Sequence, residues 1–132
     1  MKQRDVIGEQ RLSVDLLSGI YRECLGFFSK YLGDVKSTQL MQFSYQTILP
    51  YFPNLAHFQI DDTHQVQYQA PRLTETDFLA FTVWMQQFVK EAKNMLVGAG
   101  KIDIRQITKS IEAELETVGF FEFYRQAGEL DY

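Results

Sequence analysis

Phe78, Phe81, Met85, Phe88, Ala92 and Met95 follow one another at steps of three and four without a break. Only a helix gathers such a series on one side. The residues in front fix its start. Thr74 fits the N-cap, Asp77 falls at the third helical position, and Leu73 with Phe78 occupy the two places of a hydrophobic staple. Trp84 and Val89 flank the seam, so this helix needs apolar neighbours over a wide arc, as in the interior of a helix bundle. Gly98 and Gly100 end it.

Three further segments share the helical period. Across residues 12–32, Leu12, Leu16, Ile20, Cys24, Phe28 and Tyr31 form one apolar stripe, and Gly33 supplies the residue that ends a helix. Residues 35–52 carry Leu40, Met41, Tyr45, Ile48, Leu49 and Phe52, with Asp34 or Ser37 as N-cap. Pro50 disturbs the last turn and Pro53 stops it. In the fourth helix Asp103 caps, Gln106 sits three later, and Ile102 with Ile107 form a second staple. Ile104, Ile107, Ile111, Leu115 and Val118 make its stripe. Gly119 either ends it or lets it run on through "FFEFY".

Between the second and third helices the period drops to two. Ala56, Phe58 and Ile60 alternate with polar residues, and so do Val66, Tyr68 and Ala70. Two short strands with their apolar sides together require Ile60 opposite Val66 and Phe58 opposite Tyr68, because a slip of one residue turns one strand inside out. The connection is then an odd-numbered loop centred on Thr63. The expected fold is one mainly α domain spanning residues 1–132, four-helix-bundle-like, in the order α-α-β-β-α-α. Loosely ordered ends are expected at 1–10 and 126–132.

The hairpin holds both histidines, so it is the place to look for a metal. His57 and Asp61 share a strand face, yet four residues of strand separate them by about 13 Å. His64 lies at the turn, farther still. Metal ligands must meet within about 2–2.5 Å of one point, so no metal site is expected. Asp61 and Asp62 are expected to bond local backbone amides, and both histidines to sit at the hairpin surface. "GAGK" at 98–101 departs from a phosphate loop twice: Met95 stands where glycine is needed and Ile102 where Ser or Thr is. It reads as an interhelical turn. No G-x-S-x-G occurs. Glu112 and Glu116 read as a solvated helix face, and Cys24 as a small core residue. Lys90, Lys93, Lys101, Arg105 and Lys109 cluster around the helix three–four turn, where positive charge complements a helix C-terminus. Gly19 and Gly26 share one face of the first helix and leave room for another helix or a second copy.

Composition narrows the function. A net charge of −4 lacks the basic footprint of a nucleic-acid binder. A lone cysteine, no apolar segment of about 20 residues and no signal-like apolar core suggest a cytoplasmic chain that spans no membrane and uses no cofactor. Aromatics at 14%, with 11 Phe and 7 Tyr, exceed what a core obviously needs. The expected function is a non-enzymatic interaction or regulatory module, self-associating as a homodimer or binding a protein partner. Its contact residues are the hairpin amides Gln59, Gln65, Gln67 and Gln69 and the aromatic run Phe120, Phe121, Phe123 and Tyr124. The alternative is a small apolar or planar ligand held in an aromatic-lined bundle cavity by Tyr21, Phe28, Tyr45, Phe81, Trp84, Met85 and Phe88.

Overall fold

The computed structural model describes residues 13–70 and 72–130. Leu12, Asp131 and the expected loose end at 1–10 lie outside the described residues. The fold is mainly α with a small antiparallel hairpin.

Helix α1 spans Val14–Leu32, and the Ser13 hydroxyl accepts the Leu16 N–H to cap it. Gly33 stops it with φ 86°, then serves as N-cap of α2, Asp34–Ile48. Neither Asp34 nor Ser37 is the cap. Asp34 is already the first helical residue, and the Ser37 hydroxyl is buried without a hydrogen-bond partner. Helix α2 also stops earlier than residue 52: Pro50 has no N–H to continue it, and Pro53 then opens a separate 3-10 turn, Pro53–His57.

Strands β1, Phe58–Ile60, and β2, Val66–Tyr68, pair in the expected register, Phe58 with Tyr68 and Ile60 with Val66. The connection is the five-residue loop 61–65. The Asp61 carboxylate accepts from Thr63 N, Gln65 N and the Thr63 hydroxyl. Those bonds, together with one from Gln67, hold its pKa well below the usual carboxylate range.

Helix α3, Glu75–Asn94, carries the capping box on Thr74 and Asp77. Phe78, Phe81, Met85, Phe88 and Ala92 are fully buried, while Met95 at the end of the seam is 46% exposed. The continuous fourth helix does not form. In its place come α4, Ile104–Ile107, a 3-10 turn at Lys109–Ile111, α5, Glu112–Thr117, and α6, Phe120–Ala127. Asp103 caps α4 as expected. The first break falls at Thr108, which is buried and donates its hydroxyl back to the Ile104 carbonyl. The second is at Gly119, left-handed with φ 77°.

These breaks fold α6 back onto α3. Phe123 stacks on Phe78, with ring centres 4.5 Å apart, and Gln86 donates to the Tyr124 carbonyl. Ala127 is buried at the end of α6, inside the stretch expected to be loose. Gly19 lets α1 approach this segment: a Cβ there would stand 3.4 Å from Ile111 Cδ1. Among the described residues no helix is long and apolar enough to cross a membrane.

Candidate functional site

Three helices bring an aromatic group to the foot of the hairpin. The Trp84 indole N–H donates to the Met41 carbonyl at 3.1 Å, which fixes α3 against α2. Tyr45 meets that indole edge-on at 5.0 Å, and Tyr21 of α1 lies 5.7 Å from it. The Tyr45 hydroxyl is shared between the carbonyls of Leu55 and Phe58, both at 3.0 Å. Between these rings and the hairpin opens a cleft of about 390 Å³. Tyr21, Tyr45, Trp84 and Phe58 supply its aromatic walls. Gln42 and Gln46 of α2, Gln59 of β1, and Asp61, Asp62 and His64 of the turn also line it. Among the described residues no lysine or arginine lines it.

His64 departs most from ordinary geometry. Its φ is 62°, the only positive value among the described non-glycine residues. Its ring lies nearly parallel to Tyr21 at 6.2 Å, and its Nδ1 is buried with no hydrogen-bond partner. Such backbone strain costs about 1–3 kcal/mol and gathers at ligand clamps and switches. A buried polar atom without a partner costs about as much again.

The other histidine belongs to a separate knot. Asp77 is 1% exposed, and its carboxylate accepts from Asn54 Nδ2 and His57 Nδ1, each at 2.8 Å, from the Thr74 amide at 3.1 Å, and from the Tyr68 hydroxyl. Burial alone would raise the Asp77 pKa, but these bonds outweigh it and lower it. The same contact, added to burial, pushes the Tyr68 hydroxyl up. The knot ties the 3-10 turn, β2 and the start of α3 together. His57 is thus a partner of a buried carboxylate and His64 a partner of Tyr21, so neither is the plain surface residue that alternation implies.

Of the seven residues expected to line a cavity, Tyr21, Tyr45 and Trp84 meet in the cleft. Phe28, Phe81, Met85 and Phe88 are fully buried core, and Tyr21 and Trp84, 3% and 1% exposed, belong to the same core, which leaves Tyr45 half-buried at the cleft. The expected partner surface does not assemble. Phe120 and Phe121 are buried, Phe123 is covered by Phe78, and Tyr124 lies against Phe120. Phe123 and Tyr124 are half-buried, and Arg105 stands 4.1 Å over the Phe121 ring. Of the hairpin amides, Gln65 accepts from Arg22 and Gln67 donates to Asp61, while Gln69 is exposed and only Gln59 reaches the cleft. Both hairpin edges also have partners. Ser18 accepts the Val66 N–H on one side, and Tyr45 donates to the Phe58 carbonyl on the other. The basic cluster disperses as well. Arg105 pairs with Glu112 and Glu116, and Lys93 donates to the Ile102 carbonyl.

Sequence reasoning passed over Gln42 and Gln46, although their four-residue spacing puts them on one helix face. It also took Asp77 for a local cap, since its partners at Asn54, His57 and Tyr68 meet only in three dimensions. No family model, curated protein or solved structure matches this chain.

Proposed function

We propose that this chain is a non-enzymatic binding module whose cleft takes a small planar ligand. One observation carries the reading: aromatic rings from three helices and glutamine amides from a helix and a strand converge on one space of about 390 Å³. That volume is in the range of small-molecule sites, which are mostly apolar walls with a few placed polar groups. Tyr45 is half-buried and offers ring surface for stacking, while Tyr21 and Trp84 are buried in the core. Each amide both donates and accepts, which suits the hydrogen-bonding edge of a heteroaromatic ring. Asp61 and Asp62 in the lining, with no cation beside them among the described residues, favour a moiety that is neutral or positive there. The acid–base pair His57–Asp77 lies outside the cleft lining, which supports binding rather than chemistry.

Trp84 is the sole tryptophan and forms the cleft wall, so its emission reports occupancy. A panel of planar heteroaromatic fragments should yield binders that shift that emission and raise the unfolding midpoint. Gln42→Ala with Gln46→Ala should weaken them by roughly thirty-fold, at about 1 kcal/mol per hydrogen bond. A panel that moves neither signal rejects the reading.

A second reading, self-association, is favoured by α2. Its outward face presents Val35, 72% exposed, and Phe43, 57% exposed, beside Gln39, with Tyr31 at the preceding helix end 59% exposed. Exposed apolar groups on an uncharged face suit contact with a second copy. Light scattering should then give a dimer that Phe43→Glu dissociates without loss of helicity. A monomer at high micromolar concentration removes this reading.

A further inference from the structure

The cleft has a neighbour. A second depression of about 580 Å³ lies between α1, the start of α2 and the hairpin turn. Thr38 and His64 line both spaces, so they form the wall between them. The chemistry changes across that wall. Where no cation among the described residues lines the first space, the second has Arg22 and Lys30, the hydroxyl of Ser29 and the carboxylate of Asp34, while the Thr63 hydroxyl is already given to Asp61. Among the described lining residues, two cations stand against one carboxylate. Arg22 gives one N–H to Gln65 at 2.7 Å, and a guanidinium has four more. Lys30 is exposed on the last turn of α1.

The wall itself is where the strain sits. His64 holds a positive φ and a buried Nδ1 without a partner at the one place from which a ligand could touch both spaces. Packing among the described residues offers nothing to that nitrogen, and a polar group of a ligand crossing the wall would.

Building on the reading of the first cleft as a ligand site, we infer that the two spaces together take a planar heteroaromatic ring bearing a short anionic arm, the chemistry of a nucleoside monophosphate. The ring lies among Tyr21, Tyr45 and Trp84, and the phosphate meets Arg22 and Lys30. His64 sits between them. The arm accounts for a space lined by Arg22 and Lys30 beside one lined by Asp61 and Asp62, a contrast that a ring alone leaves unused.

The test compares purine and pyrimidine nucleosides, their 5′-monophosphates and inorganic phosphate on the 132-residue chain, read by Trp84 emission and by calorimetry. At least one monophosphate should bind ten-fold or more tightly than its nucleoside, and added salt should narrow that margin. Arg22→Gln and Lys30→Gln should each shrink the margin and leave nucleoside affinity as it was. Both residues are exposed, so circular dichroism should find the variants folded. Equal affinities for nucleoside and monophosphate, or a margin that survives both substitutions together, overturn the anionic arm and leave the ring site standing. If no nucleoside or monophosphate binds while other planar fragments do, this ligand class is wrong. If the fragment panel is silent too, the cleft reading falls with it.

Discussion

Asp77 shows how one side chain can cap a helix and close a tertiary knot. Its four hydrogen bonds come from residues spread from Asn54 to Thr74. Asp77→Ala removes half of the capping box and leaves half-buried donors unmatched, so it should cost about 2–4 kcal/mol by chemical denaturation at neutral pH. The carboxyl also carries a pH dependence. Its folded pKa lies below the ordinary value of 3.8. Its contribution is therefore fully present above that value and is lost as pH falls through the folded pKa. Stability measured from pH 7 down to pH 3 should fall less steeply for Asp77→Asn than for the parent; parallel curves would exclude Asp77 as a source. Ser37 makes the opposite case. Its hydroxyl is buried and unpartnered, so Ser37→Ala should raise stability by about 1 kcal/mol. A loss instead would mean that the hydroxyl has a partner in solution.

At the level of elements, α3 is the mechanical centre, and it was the easiest to read. Local signals mark its start, and its seam is an unbroken apolar series. Phe88 is fully buried against Phe28, so Phe88→Ala should cost about 3–5 kcal/mol in an unfolding titration. A loss below about 1 kcal/mol would place the seam outside the core. The region after Asp103 was harder to read because its apolar stripe fits one long helix. What breaks it is a threonine hydroxyl turned back on its own backbone and a glycine in the left-handed region, neither of which disturbs the period. Gly119→Ala should destabilise by about 1–2 kcal/mol, the cost of holding an L-residue there. The hairpin register was legible because alternation admits one pairing. The packing of the hairpin was not, since the partners of its edges, Ser18 and Tyr45, lie on other elements. The cleft was half legible for the same reason. Tyr21, Tyr45 and Trp84 stand out as aromatics on apolar stripes, while Gln42, Gln46 and His64 acquire meaning only once the hairpin rests on α2.

For the whole molecule, the hairpin joins a cleft wall, a buried knot and two helix contacts. Its bond to α1 through Ser18 and Val66 spans 48 residues, and the Trp84–Met41 bond that seats the helices beneath it spans 43. A two-stranded hairpin is marginal by itself, so these three-residue strands gain their stability from surfaces that exist only after the helices have met. The consequence concerns time. The hairpin should be absent from the rate-limiting step and dock after it. Val66→Ala should then speed unfolding with little effect on refolding, giving a φ-value near zero, whereas Phe88→Ala should slow refolding. Stopped-flow kinetics on the two variants decide the order. A slow-refolding Val66 variant would make the hairpin part of the nucleus. If the hairpin docks last in folding, it is also the first part to lift in the native protein. The cleft would then open by brief release of the strand pair, and the rate of that release would set how fast a ligand enters and leaves.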